Sequence, residues 1–224
     1  MFRPLFKFYL LFIVLFLGTS LKGQDLVTSN AWNAIFTTQT LTASSSIQLE
    51  LHKRTQEFYD APDQILVRPN FGYRVNPNVQ LRIGVTYIKN APQTIENNLW
   101  EQIAFRYPTN WGAYGGWLRI EHRNIEKNNR ITVNHRFRYR LFLQKPLTPS
   151  DAKIPVSIFG YGEIFWKLQQ RTLASDQLWK FVGLTFRIAP KMQLRSGFQQ
   201  TTVFQTVYNK RVKNIWNTIL FINL

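Results

Sequence analysis

The sequence predicts an all-β fold, a transmembrane, antiparallel, up-and-down β-barrel of about 10–12 strands behind a cleaved signal peptide. Three observations lead there. Segments of roughly ten residues alternate apolar and polar side chains along almost the whole chain, with turn residues between them. The chain opens with a short apolar run preceded by basic residues. It also carries 18 Phe, 9 Tyr and 7 Trp beside 28 Lys plus Arg, and in stretches such as HRFRYRLF (135–142) the rings and the cations occupy alternate positions of one strand. A strand of that kind needs a different solvent on each face.

The N-terminus is the first element. Arg3 and Lys7 precede the unbroken apolar run Phe8 to Leu17, and the small, polar GTSLKG follows. This is the three-part plan of a secretory signal peptide, and the run is too short to cross a bilayer comfortably. Cleavage is expected between Gly23 and Gln24, with a cut after Ser20 as the alternative and a retained anchor as the competing reading. The domains are then 1–23, signal peptide, and 24–224, one barrel domain. With no cysteine, lipid anchoring at the cut, disulfides, thiolate metal sites and cysteine nucleophiles all drop out. Removing residues 1–23 takes away Arg3, Lys7 and Lys22 and no acid, which leaves 25 basic against 12 acidic residues, a net charge of +13. Export argues against nucleic acid as the partner of that charge.

Period-two segments follow in order: Trp32–Thr40, Ser46–Lys53, Ile65–Val75, Val79–Lys89, Leu99–Tyr107, Ala113–Ile125, Ile131–Leu143, Ile154–Lys167, Gln177–Ile188, Met192–Thr201 and Val212–Leu224. These are eleven. Single-chain bacterial barrels carry an even number of strands, so the expectation leans to twelve, with a further strand near residues 24–31 or 201–209.

Three hairpins fix register, because a correct turn brings like faces together. Centred on Asn128-Asn129, Arg119 meets Arg138, Glu121 meets Arg136 and Arg123 meets Asn134, while Leu118, Ile120 and His122 meet Tyr139, Phe137 and His135. Centred on Pro77, Val75, Tyr73 and Phe71 meet Val79, Leu81 and Ile83, and Arg74, Gly72 and Arg68 meet Gln80, Arg82 and Thr86. Centred on Pro190, Ile188, Phe186 and Val182 meet Met192, Leu194 and Phe198, and Arg187 and Thr185 meet Gln193 and Arg195. Each sorts into one apolar and one Arg-rich face, which a slip of one residue would destroy. A soluble sandwich or a lipocalin-like barrel could also use such strands. The aromatic load, the signal peptide and a comb of Arg136, Arg138 and Arg140 undiluted by Lys favour a barrel with lipid outside and charge within. The short connections NPN and APK then face the periplasm. The longer KNAPQTIENN, QQRTLASDQ and TTVFQTVYNKR face outward, and KPLTPSDAKIP is a long periplasmic loop.

The blocks WNAIFTTQTLTASSSIQLELHKR, FGYRVNPNVQLRIGVTY, WLRIEHR, NHRFRYRLF and YGEIFW resemble those of a domain-of-unknown-function family, number 2490, in the outer-membrane β-barrel superfamily of Gram-negative bacteria. The resemblance covers nearly all of the mature chain. Glu121, Arg123, Arg136, Arg138 and Arg140, together with the Glu163 block, are its more distinctive parts. The terminal TILFINL resembles the signal read by the barrel-assembly machinery, although it ends in Leu224 rather than an aromatic residue. The resemblance implies a location, the cell outer membrane, and partners: outer-membrane lipid with lipopolysaccharide, and that machinery through the last strand. It implies no activity, cofactor or catalytic residue.

The candidate site is the inward face. Arg68, Arg74, Arg82, Arg106, Arg119, Arg123, Arg136, Arg138, Arg140, Arg187 and Arg195 are expected there against Glu50, Glu121 and Glu163. The cluster singled out is Arg119, Glu121, Arg123, Arg136, Arg138, Arg140 and Glu163. Its leading reading is a structural, ion-paired filling of the lumen in a protein of unknown specific activity. The alternative is a narrow anion-selective pore for small anions, and the third reading is an outer-membrane lipid-modifying enzyme. The last finds little in the sequence: Ser44, Ser45, Ser46, Ser157 and Ser196 do not pair in register with a histidine, no G-x-S-x-G occurs, and no catalytic residue is assigned. His122 and His135 oppose each other with no third ligand apparent, so they read as an interfacial aromatic pair rather than a metal site. His52 reads as a rim residue. Trp100, Trp111, Trp117, Trp166 and Trp216 read as girdle or rim residues at headgroup level.

Overall fold

The computed structural model describes residues 26–56, 62–91, 93–169, 172–204 and 210–224. The signal peptide expected over residues 1–23 lies outside the described residues. Within them the chain forms eleven strands and no helix: β1 (Leu26–Thr40), β2 (Ser45–Gln56), β3 (Pro62–Asn76), β4 (Val79–Asn90), β5 (Thr94–Thr109), β6 (Gly112–Lys127), β7 (Arg130–Pro146), β8 (Val156–Gln169), β9 (Thr172–Ala189), β10 (Met192–Phe204) and β11 (Lys210–Asn223). Each strand pairs antiparallel with the next. The sheet closes on itself through β1 and β11, which run parallel from Leu26 opposite Arg211 to Thr38 opposite Asn223. The strand count therefore differs from the twelve the sequence leans to. Residues 26–31 and 201–204 do have strand geometry, but as the ends of β1 and β10. With an odd number, first and last strands point the same way, and the seam takes the slanted bonds of a parallel ladder.

The registers of the three hairpins hold along their lengths. Asn128 and Asn129 have φ of 51° and 60°, the pair of positive values that a two-residue type I′ turn needs and that Asn tolerates. The other two hairpins depart next to the turn. Asn76 takes the place expected for Val75 opposite Val79, and Ala189 that expected for Ile188 opposite Met192, each through a shift of one residue. A proline at each of these turns has no N–H to give the ladder, and the bulge absorbs the mismatch there rather than along the strands.

The connections sort into two ends. The chain passes β2–β3, β4–β5, β6–β7, β8–β9 and β10–β11 at one, called here the tip end. At the other, the turn end, lie β1–β2, β3–β4, β5–β6, β7–β8, β9–β10 and Leu224. The segments expected as long outer loops are largely strand, since β4 runs to Asn90 and β5 starts at Thr94, and β8 runs to Gln169 and β9 starts at Thr172. Residues 147–155 form the long connection expected at the turn end.

The outward face carries Ile35, Leu49, Leu51, Phe71, Ile83, Val85, Ile103, Leu118, Val182, Phe198 and Trp216, all exposed large apolar side chains. An apolar surface that encircles a barrel with buried arginines inside is the arrangement of a membrane barrel and the inverse of a soluble one. The inner wall is not uniformly polar. Phe159, Tyr161, Phe165, Trp179 and Phe181 of β8 and β9 form a buried cluster, with Trp32 and Phe142 packed against it.

Candidate functional site

The Arg comb of β7 points into the lumen between two carboxylates supplied by its neighbours. Alternation puts Arg136, Arg138 and Arg140 on one face, and the register sets Glu121 of β6 opposite Arg136 and Glu163 of β8 opposite Arg140. Arg138 lies between them: its Nη1 donates to Glu121 Oε1 at 2.5 Å and its Nε to Glu163 Oε1 at 2.7 Å. Arg136 Nε donates to Glu121 Oε2 at 2.7 Å, and Arg140 Nε and Nη2 both donate to Glu163 Oε2. Arg119 Nη1 stands 3.7 Å from Glu121, while its Nε and Nη2 donate to Gln102 Oε1. Two carboxylates thus serve four guanidinium groups. Both are fully enclosed, Glu121 at 1% exposure and Glu163 at 0%. Buried ions survive only with such pairing, because desolvation of either partner alone is costly.

Ring faces supply what the acids do not. Arg119 stacks 3.9 Å from the Trp100 ring centroid, Arg138 4.4 Å from Phe165 and Arg140 3.8 Å from Tyr161. Cation–π contact strengthens where water is excluded. Trp100 and Trp117, expected in the girdle, belong to this interior set. Trp100 is fully buried and donates to Thr86 Oγ1 at 3.1 Å, and Trp117 stacks on Arg119, Arg138 and Arg140. Their position in the alternation was the signal available for this: both share the parity of Gln102 and Arg119. Trp166 and Trp216 remain on the outer face, beside Phe137 and Phe198.

The rest of the cluster extends around the wall. Arg123 makes a bidentate pair with Glu96, both bonds 2.8 Å, and reaches Asn134 at 3.3 Å. Glu96 is an acid the hairpin registers did not place, because β5 was read only from Leu99. Asp176 adds a weaker contact to Arg136 at 3.7 Å. Arg68 donates to Glu50 at 3.1 Å, and His52 sits in the lumen 3.3 Å from the same carboxylate rather than at the rim. Arg74 and Arg187 are exposed, next to the turns at the mouth. His122 and His135 do oppose each other, Nδ1 to Nδ1 at 2.9 Å, and a third polar group accompanies them after all: Glu101, 3.3 Å from His122 Nε2. The two Nδ1 atoms are spent on each other, and among the described residues no group of His, Cys, Asp and Glu could hold a metal ion. Of the five serines, Ser45 bonds with Thr42, Ser157 with Gln144 and Ser196 with Thr218.

One cavity of about 610 Å³ runs inside the barrel. It is lined at the tip end by Asp63 and Asn90 and at the turn end by Arg106 and Phe221. Gln80 and Asn90 of β4 both border it; at the usual strand rise and tilt they lie roughly 25 Å apart along the axis, so the space extends over much of the barrel's height. Ten arginines line it (Arg54, Arg68, Arg82, Arg106, Arg119, Arg123, Arg136, Arg138, Arg140 and Arg195), with Lys213 as a further cation. The carboxylates that line it are Glu50, Asp63 and Glu96. Glu121 and Glu163 stand behind the arginines they pin and do not border the space.

Comparison with known proteins gives the chain a family. The family described as "Protein of unknown function (DUF2490)" matches residues 29–211, and the chain belongs to it. No curated protein matches. Among solved structures the chain is similar to "LpxR from Salmonella typhimurium", with 8% sequence identity, a TM-score of 0.48, and coverage of 79% of this chain and 83% of that one.

Proposed function

We propose that this chain is an outer-membrane barrel, exported by the signal peptide of residues 1–23, whose lumen is a narrow passage selective for small anions. The observation that carries this is the lining of the cavity, ten arginines and Lys213 against three carboxylates, in a space that reaches from one end of the barrel towards the other. Fixed cations around a narrow space with low-dielectric walls raise the local concentration of anions and exclude cations. The short turns would face the periplasm and the tips the outside. Lipid and lipopolysaccharide would cover the apolar belt, and the last strand would engage the barrel-assembly machinery. No cofactor or metal enters this reading.

A second reading has its own observation. Glu121, Arg138 and Glu163 are buried and fully paired, as in a barrel interior built for rigidity. In that case the lumen is a structural filling. Single-channel recording of the folded mature chain in a planar bilayer, under a salt gradient, separates the two. Steps whose reversal potential lies towards the anion equilibrium value, and whose selectivity falls with Arg195→Gln, are the expected result. Silence from protein shown to be folded would leave the structural reading.

A further inference from the structure

The lumen charge is unevenly compensated along the barrel axis. The carboxylates that pair with lumen arginines (Glu50, Glu96, Glu121 and Glu163) lie at mid-height or towards the tips, and Asp63 and Asp176 lie near the tips. Towards the turn end the arginines continue without them. Among the described residues, no carboxylate lies within 4 Å of Arg82, Arg106 or Arg195, and the acid carried by the turn-end connections is Asp151, in the 147–155 segment. Exposure rises in the same direction, from the enclosed Arg138 through the half-buried Arg140, Arg82 and Arg195 to the exposed Arg106. The turn end is therefore an open, basic vestibule above a paired and enclosed waist.

Its arginines are held by neutral groups, and this determines what they can still do. Arg195 lies 3.5 Å from the Phe159 ring centroid and 5.0 Å from that of Phe221, and donates through Nε to Thr185 Oγ1 at 2.9 Å. Ring contact engages the faces of the guanidinium, and the threonine takes Nε–H. The four Nη–H donors along its edge meet no acceptor among the described residues. Arg106 gives one Nη2 bond to Gln144 Oε1 at 3.1 Å, and Gln144 is itself fixed through Nε2 to Ser157 Oγ at 2.9 Å. Arg140 and Arg106 are close enough to repel Arg195. Cations that repel one another, fixed in place, lined up on one space and left with free edge donors, are short of a counter-ion of several oxygens.

We infer that the turn-end vestibule is a binding site for a phosphate group carried by a soluble molecule, held between Arg195 and Arg106, with Arg82 on the facing wall. The inference rests on the reading of the lumen as an anion-attracting space and adds the ligand's class, its residues and its side of entry. Two guanidinium edges offer several N–H donors in planar forks, which match a tetrahedral oxyanion and are wasted on chloride. The ligand comes from the water at the turn end. The barrel wall stands between these arginines and lipid, so a membrane headgroup is not its source.

The test uses folded mature protein in uncharged detergent, with inorganic phosphate as the probe. Phenylglyoxal, which modifies accessible arginine, is applied with and without phosphate at constant ionic strength, and modification is read residue by residue by mass spectrometry. Phosphate should slow modification of Arg106 and Arg195 at least fivefold and leave Arg130, at the tip end, unchanged. Pyrophosphate should protect the same pair at lower concentration, and chloride should not. In calorimetry, Arg195→Gln should weaken phosphate binding at least tenfold, and Lys127→Gln, at the tip end, should leave it unchanged. Equal protection of all accessible arginines, equal protection by chloride, or protection that requires added anionic phospholipid would overturn the inference. The protection measurement needs neither a variant nor conduction. A barrel that is silent in bilayers but protected at Arg106 and Arg195 would sink the passage and keep the site, and an anion-selective barrel without protection would do the reverse.

Discussion

Glu163→Gln is the sharpest perturbation of the lumen. Glu163 is fully enclosed and accepts from Arg138 at 2.7 Å and from Arg140, and it stands behind the cavity lining rather than in it. Gln is nearly the same size and keeps one acceptor, so packing changes little. What goes is the charge opposite two guanidinium groups. Removing one partner of a buried ion pair costs about 3–5 kcal/mol, because the charge left behind remains desolvated. Arg138 still has Glu121 at 2.5 Å, and Arg140 is half-buried and stacked on Tyr161, so the lower part of that range, about 3 kcal/mol, is the working value. That is more than a hundredfold in the folding equilibrium. The assay is a urea titration of folded barrel in detergent, read by the heat-dependent mobility of the folded form on gels and by far-UV circular dichroism. The midpoint should drop with the slope unchanged. The same variant adds one uncompensated positive charge to the lumen, so if the passage conducts, its anion preference should rise as its stability falls. A change below about 0.5 kcal/mol would refute the account of the belt, since it would mean that Arg138 and Arg140 are satisfied by water.

Other residues make separate statements. Trp100→Phe keeps the ring but loses the bond to Thr86 and part of the stacking on Arg119, and should cost about 1–2 kcal/mol in the same titration. Gly84→Ala should cost more than a surface substitution, because a Cβ there would stand 2.6 Å from Trp100 Cζ2 and 2.7 Å from the Pro69 carbonyl oxygen; a shift of the tryptophan emission maximum should accompany the loss. Glu101→Leu should stabilise the barrel by about 1 kcal/mol or leave it unchanged, since an outward carboxylate among Leu99, Ile103 and Ile83 is unfavourable against lipid. Destabilisation there would show that the Glu101–His122 contact holds the wall together. Asn129→Val should destabilise by about 1 kcal/mol, because a β-branched residue resists a φ of 60°.

The fold was legible because register is a two-valued question. At the β6–β7 hairpin the side-chain types alone decide that Glu121 faces Arg136 and that Ile120 faces Phe137, and the ladder agrees. The bulges by Pro77 and Pro190 were not legible, because alternation survives a shift of one residue at a strand end. The interior was half legible. Charged side chains announce which parity faces inward, yet residue type alone sends Trp100 and Trp117 on that parity to the headgroup level and leaves Phe159 and Phe181 unplaced. A ring is apolar in bulk but polar across its face, and beside ten guanidinium groups the face matters. Glu96 and Asp176 escaped because they lie in segments read as loop, and His52 because a strand end in sequence need not be a rim in space.

The net charge of the chain also acquires a location. A surplus of sixteen positive charges suggests an acidic partner when read as composition, but much of it is turned inward, where no macromolecule can reach. The positions of the acids govern its effect. Glu121 and Glu163 neutralise the belt from behind, so the wall is stable while the groups that meet the cavity are still guanidinium. Had those carboxylates bordered the space, the same number of charges would have presented a lumen of mixed sign. A passage must also release what it attracts. In the proposed passage the pairing would supply that too, because guanidinium groups already engaged by Glu121 and Glu163 would hold an incoming anion less firmly than the edges of Arg106 and Arg195. Binding should therefore be strongest at the turn end and weaken towards the waist. An anion entering from the turn side should then dwell longer than one entering from the tips, and the dwell-time asymmetry should vanish in Arg195→Gln. Equal dwell times from both sides in the unmodified protein would show that the placement of the acids does not govern the passage.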